Sequence, residues 1–217
     1  MRESDIHRVV ELLRREQRRW KQPAVAQVAG KKDPFQVLVS CLISLRTKDQ
    51  VTGEASARLF ALADNPADMA RLPERRIERA IFPAGFYRVK ARNIKQVSRI
   101  IVGRHGGRVP DDLDTLLELP GGGRKTANLV VTVAYGKPGI CVDTHVHRIT
   151  NRLGYLATRT PEQTESALRA TLPRRYWIQI NDLLVTFGQH VCTPVSPFCS
   201  SCVLYPYCER RGVTTSR

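Results

Sequence analysis

Three stretches of the chain hold residues able to do chemistry. The first is Cys192, Cys199, Cys202 and Cys208, four thiols at C-x6-C-x2-C-x5-C spacing. Disulfide frameworks belong to small secreted domains, so four cysteines in a helical intracellular chain point to metal. Structural zinc takes its ligands as two close pairs, and here only Cys199 and Cys202 are close. A four-iron cluster accepts one ligand from each separate turn, so the spacing favours iron-sulfur and leaves zinc as the alternative. Pro194, Pro197 and Pro206 prevent a helix there and keep the ligands on a wound loop. Cys41 and Cys141 lie in apolar runs and read as small buried hydrophobes.

The second stretch is Leu119-Pro120-Gly121-Gly122-Gly123-Arg124-Lys125-Thr126-Ala127. One helix stops at Pro120 and another begins near Arg124. Bare glycines between them let the backbone approach a phosphate closely, while the amides of the new helix point at the anion. Such a hairpin suits DNA backbone contact without base reading. A nucleotide P-loop requires glycine directly before the lysine, where this chain has Arg124, and a dinucleotide fingerprint requires a preceding strand. Lys125, beside Arg124 in the first turn of a helix, meets the positive end of the dipole. It is either a phosphate contact or an amine nucleophile.

The third is Val142-Asp143-Thr144-His145-Val146-His147-Arg148. Asp143 has the position of a helix cap, and a carboxylate leaving an apolar run is also suited to steadying developing positive charge. His145 and His147 lack a third ligand at metal spacing, so packing or backbone contact is the expectation for both.

These stretches must be positioned by helices. Apolar periodicity is helical from end to end, and no stretch alternates as a half-buried strand would, so the chain is all-α. Asp33-Pro34, Asn65-Pro66 and Thr160-Pro161 are helix starts, a capping side chain followed by proline. Ten or eleven short helices are predicted. Besides 3 to 19 and a buried helix opening at Pro34, they include 49 to 63, 74 to 80, 87 to 104, 112 to 118, 124 to 135, 144 to 153, 161 to 171 and 174 to 189.

With 35 Lys and Arg against 20 Asp and Glu in 217 residues, the net charge is +15. An excess of that size predicts a polyanionic partner, most simply nucleic acid. Only eight of the basic residues are lysine, at positions 21, 31, 32, 48, 90, 95, 125 and 137, which confines any lysine chemistry. No apolar run is long enough for a membrane span. The charged opening Met1-Arg2-Glu3-Ser4-Asp5 predicts neither a secretory nor an organellar leader, hence a cytoplasmic, nucleoid-associated prokaryotic protein.

Taken together and in this order, the hairpin, the aspartate segment and the cysteine spacing resemble the endonuclease III family of DNA glycosylases, in the helix-hairpin-helix superfamily. The resemblance covers nearly the whole chain. It implies a two-lobed fold: a six-helix barrel at 24–136, with its hairpin at about 112–135, and a helical cluster domain of 1–23 and 137–217 with a 4Fe-4S loop at 192–208. It implies a monomeric bifunctional glycosylase and AP lyase that removes oxidised pyrimidines from double-stranded DNA by flipping the nucleotide. In that role Lys125 attacks the sugar and Asp143 supports the charge, while Cys192, Cys199, Cys202 and Cys208 hold the cluster. Gly121, Gly122, Gly123, Arg124, Thr126, His145 and Arg148 are the expected DNA contacts, with Arg46 in the gap beside the flipped base and Phe86 with Tyr87 on a wedge loop. For Phe86, core packing is the alternative.

Departures from the family pattern matter as well. Arg46 stands where many members have glutamine, which leaves the opposite-base preference open. The segment Thr193–Phe198 has no basic residue, although relatives often offer Lys or Arg to phosphate there, so the hairpin and Arg148 or Arg152 are expected to compensate. Arg88, Arg92, Lys95 and Arg99 form a basic stripe that reads as a solvated helix face. The competing functions are a monofunctional or mismatch-directed uracil or thymine glycosylase and a non-catalytic DNA-binding module. A zinc deaminase fails because no His-x-Glu motif precedes the cysteines.

Overall fold

The computed structural model describes residues 1–20, 23–25 and 33–217. Lys21, Lys31 and Lys32 fall outside them. Every regular element among the described residues is helical, and the chain divides into two compact units, Ala24–Lys137 and Met1–Pro23 with Pro138–Arg217.

The first unit is organised around α2 (Pro34–Ser44), a helix with eight buried residues out of eleven. Asp33 starts it: its carboxylate accepts from the amides of Phe35 and Gln36 at 2.9 Å, and Pro34 fills the first helical position. The unit continues with α3 (Asp49–Phe60), α4 (Pro66–Arg71), α5 (Glu74–Ile81), α6 (Tyr87–His105), α7 (Leu113–Leu117) and α8 (Arg124–Leu129); α3, α6 and α8 pack directly on α2, α4 and α5 on α6, and α7 on α8. Val37, Leu38, Leu42, Ile43, Leu59, Ile77, Ile94 and Ile101 make a dry core that clamps α2 between α3, α6 and α8. The continuous helix expected over 124–135 keeps its start but changes winding, because Val130–Ala134 is π-helical. Thr132 lies in that segment and its hydroxyl donates to the Asn128 carbonyl at 2.7 Å, a bond that competes for the helix's own acceptors.

The second unit joins α1 (Ile6–Gln17) to α9 (Thr144–Arg152), α10 (Pro161–Thr171) and α11 (Trp177–His190). Ile6, Val9, Val10 and Leu13, the apolar side read from the sequence, enter one core with Val146, Ile149, Leu168, Leu184 and Phe187. The helix expected over 174–189 is two elements, a 3-10 turn at Arg174–Tyr176 followed by α11. The chain after His190 is wound into turns, as its prolines require.

If Asp33 sets the start of α2, Asp33→Ala costs about 1 kcal/mol in urea unfolding. A change within error would mean that core packing alone fixes that end.

Candidate functional site

In the hairpin, Glu118 and Leu119 close α7 with short-range backbone bonds, and Gly123 caps α8. Two of the three glycines have different reasons to be bare. Gly121 has φ +79°, and a Cβ there would lie 2.3 Å from Asn93 Nδ2, so the fold itself demands glycine. Gly123 has extended backbone and open space where a side chain would stand. Nothing in the fold fills that space, so its bareness leaves the α8 amides uncovered for an anion. Arg124 is exposed, Thr126 is buried, and Lys125 between them is half-buried. Burial pushes the Cys41 thiol on α2 up to about 12, opposed by the charge of Lys125. Lys125 therefore lies close enough to α2 for its charge to be felt there.

Beside the hairpin, an open pocket of about 350 Å³ is lined by residues that include Leu45, Arg46, Phe86, Lys90, Asn93 and Gly121. Arg46 and Phe86 both adopt left-handed backbone, φ 51° and 56°, which non-glycine residues rarely tolerate. Phe86 is 62% exposed, so the core-packing alternative for its ring is overturned. The Arg46 guanidinium lies 5.7 Å from its centroid. Tyr87 turns its ring edge-on to Phe82 and receives Arg88 at 5.4 Å.

Lys90 holds this geometry. Its buried ammonium donates to Ile43 O at 2.6 Å, Leu45 O at 2.5 Å and Thr47 Oγ1 at 2.7 Å, which uses all three protons. Burial pulls it down to about 8, so it is still the charged donor at neutral pH. Thr47 Oγ1 also accepts from Gly85 N at 3.1 Å, and a Cβ at Gly85 would lie 2.5 Å from Arg46 O. The loops carrying Arg46 and Phe86 are thus tied to one ammonium. Lys90 was only one of eight lysines in the sequence; its periodicity on α6, among Ala91, Ile94 and Val97, was the available signal. Of the basic stripe on α6, Lys95 donates to Leu72 O and Arg92 lies 3.9 Å from Glu74.

In the other unit Asp143 caps α9. Its Oδ1 accepts from the amides of His145 and Val146 at 2.9 Å, and the side chain is buried. His147 Nδ1 meets Thr164 Oγ1 at 2.7 Å, the packing role expected of it. His145 Nδ1 lies 3.1 Å from Arg148 Nη2, which also donates to Cys192 O at 2.9 Å. One turn on, buried Arg152 donates to Thr193 O and Pro194 O, each at 2.7 Å. Both guanidiniums are thus turned onto the cysteine loop's own carbonyls. The guanidinium that lies over the loop's ring is Arg217, 4.1 Å from the Phe198 centroid, with Nε donating to Ser196 O.

Cys192, Cys199, Cys202 and Cys208 line one apolar pocket together with Ile149, Leu153 and Leu204, and no disulfide joins them. Burial pushes the Cys202 thiol up to about 11 and also raises Cys208. Among the described residues no three His, Cys, Asp or Glu side chains converge on the position of a single metal ion.

Residues 39–174 match the family described as HhH-GPD superfamily base excision DNA repair protein. Endonuclease III of Thermotoga maritima is 49% identical over 183 residues, 83% of this chain and 86% of that one. The chain belongs to the endonuclease III family. Endonuclease III of Escherichia coli K12 is 36% identical over 176 residues, 81% of this chain and 83% of its own length. A solved structure of a trapped endonuclease III-DNA covalent intermediate, the estranged-adenine complex, superposes with a TM-score of 0.77 at 37% identity, covering 82% of this chain and 84% of that one. The all-helical HhH-GPD fold expected from the sequence is therefore the fold found. The matched span contains Arg46, Phe86, the hairpin and Asp143, and ends before the cysteine loop. No described helix is long and apolar enough to cross a membrane.

Two tests address the endonuclease III scaffold itself. Gly121→Ala is expected to lower stability by about 1 to 2 kcal/mol through its left-handed backbone. Gly123→Ala should cost less than about 1 kcal/mol while weakening duplex binding several-fold; equal binding loss per unit of stability in both would remove the distinction. Lys90→Met leaves three oxygens without their donor and should cost about 2 to 3 kcal/mol in chemical unfolding. A neutral result would mean that the loops hold themselves.

Proposed function

We propose that this chain is a bifunctional DNA glycosylase and AP lyase of base excision repair, acting as a monomer on duplex DNA in which one pyrimidine is oxidised. One observation carries the reading. In an endonuclease III family chain, a hairpin bare at Gly123 presents a lysine at the second position of α8.

The hairpin amides bind backbone phosphate, Phe86 enters the disrupted stack, and Arg46 occupies the neighbouring gap. The target nucleotide is flipped out because its glycosidic carbon is shielded in the stack. The Lys125 amine attacks C1′, the bond from C1′ to the base breaks, and the base leaves with the bonding pair. Loss of the amine proton and ring opening give a Schiff base between Lys125 and the sugar. Removal of a C2′ proton then expels the 3′ phosphate, and water returns the free lysine. The Asp143 carboxylate stabilises the cationic sugar and takes up the lysine proton. Arg148 and Arg152, on the helix that Asp143 caps, fix the first turn of the cysteine loop.

Four thiols lining one apolar pocket, with no disulfide among them and only Cys199 and Cys202 close in sequence, fit a 4Fe-4S cluster better than zinc. Cys192, Cys199, Cys202 and Cys208 would each hold one iron. When bound, the group supplies a cross-link among turns that have little regular structure of their own. The packing of α3, α6 and α8 on α2 supports the barrel assignment for 24–136, and the cysteine loop supports the cluster assignment for 137–217 with 1–23.

The test is strand nicking and base release on a duplex with one oxidised pyrimidine. The intact chain should do both; Lys125→Ala should lose both by at least about a thousandfold while still binding the duplex, and Asp143→Asn should lose at least about a hundredfold. Base release without nicking by the intact chain would favour the monofunctional alternative, and binding with no release the non-catalytic module. Arg46 adds a test of specificity. Its fork matches the paired O6 and N7 acceptors of guanine, whereas adenine sets a donor beside N7. Arg46→Gln should shrink the ratio of excision opposite guanine to excision opposite adenine; an unaltered ratio would assign Arg46 to gap filling alone.

A further inference from the structure

The hairpin and the wedge loops leave much of the +15 charge unexplained, and one concentration of it lies in the unit that lacks them. Tyr176 and Trp177, neighbours where the 3-10 turn passes into α11, each carry two guanidiniums. Arg175 and Arg14 stand 5.0 and 5.8 Å from the Tyr176 centroid, and Arg169 and Arg174 stand 5.3 and 5.9 Å from that of Trp177. The four arginines come from α1, α10 and the turn, so the cluster is assembled by the packing of three elements.

The cluster is held by neutral partners. Arg14 Nε donates to Gln179 Oε1 at 2.8 Å, Gln179 Nε2 donates to Arg175 O at 3.0 Å, and Arg175 Nη2 meets His7 Nδ1 at 2.9 Å. His7 in turn lies 2.9 Å from the Tyr176 hydroxyl. Among the described residues, Arg14, Arg174 and Arg175 have no carboxylate partner, and all three are exposed. The neighbouring acids serve other groups: Glu165 neutralises Arg169, the fourth arginine, at 3.0 Å, Glu11 pairs with Arg8 at 3.0 Å, and Asp182 accepts from Gln17.

Three such charges gathered with no acid of their own, Arg14, Arg174 and Arg175, repel and destabilise the fold unless a polyanion meets them. Stacking on a ring leaves a guanidinium's edge N–H groups pointing outward, and its planar fork matches a phosphate bidentately. Ring faces and neutral hydrogen bonds fix those forks before any partner arrives, which reduces the ordering cost of binding. From this arrangement we infer that Arg14, Arg174 and Arg175, seated on Tyr176 and Trp177, form a second DNA-contact surface that grips the phosphate backbone independently of any lesion. The polymer is named by chemistry and by the chain's work: DNA is the polyanion an endonuclease III family member meets, and the inference rests on that reading. Phosphate contacts carry no sequence or lesion information, so the contribution is the same for damaged and undamaged duplex.

The experiment compares the intact chain with Arg14→Gln/Arg174→Gln/Arg175→Gln on an undamaged duplex across a salt series. Each phosphate contact contributes about 0.9 to the slope of log affinity against log salt, so the slope should fall by about 2 to 3. Affinity at about 0.1 M salt should fall at least tenfold. Single-turnover excision from a short lesion duplex at saturating protein should stay within about twofold. An unchanged slope overturns the inference and leaves the cluster for an acidic protein or an anionic lipid surface. Excision lost together with affinity also overturns it, because the three arginines would then belong to the lesion site. Should the triple variant fail to fold, the intact chain serves: undamaged duplex should protect Arg174 and Arg175 from phenylglyoxal modification, and equal labelling with and without DNA refutes the surface. A chain that binds through this surface yet excises nothing would contradict the glycosylase reading and not this one.

Discussion

A single buried ammonium sets the geometry of the two loops that carry Arg46 and Phe86. Lys90 reaches out of α6 into the end of α2, where the last carbonyls of that helix and the Thr47 hydroxyl consume its three protons. A charge so placed is costly unless every proton has an oxygen, so the loop must keep the shape that supplies them. That shape forces Arg46 into left-handed backbone and brings its carbonyl against Gly85, which in turn sets Phe86 in left-handed backbone at the mouth of α6. Two strained residues are thus held by one satisfied charge.

The second unit uses the same economy of means with arginine. Helix α9 carries Asp143 at its start and Arg148 and Arg152 further along, so the acid and the loop of cysteines are mounted on one rigid element. A guanidinium suits this work because its five donors can serve several carbonyls of an irregular turn at once. The price is that both arginines are occupied. Over the rings of this segment lie two other guanidiniums, Arg217 on Phe198 and Arg210 on Tyr205.

What could be read in the sequence was what depends on near neighbours along the chain. Asp33-Pro34, Asn65-Pro66 and Thr160-Pro161 each start a helix because cap and proline act within one turn. The three glycines, the cysteine spacing and the Asp143 cap are equally local. Contacts that span the chain left no such trace. Lys90 meets a carbonyl 47 residues away, and Arg152 one that is 41 away, so a basic residue on a helix looked like any other solvated cation. The π-turn at Val130–Ala134 and the break of 174–189 at Trp177 depended on hydroxyl competition and on packing, which apolar periodicity does not encode. Phe86 was ambiguous because a phenylalanine has the same apolar signature in a core as at a wedge; only its backbone and exposure separate the two.

The central claim is that Lys125, among eight lysines, is the amine that becomes bonded to the sugar. Borohydride reduction of the protein while it turns over a lesion duplex, followed by proteolysis and mass spectrometry of the DNA-linked peptide, tests it directly. The account predicts one adduct, on the peptide that contains Lys125, with Lys90 unmodified because its protons are bound in the interior. An adduct on any other lysine, or base release with no adduct at all, would contradict it.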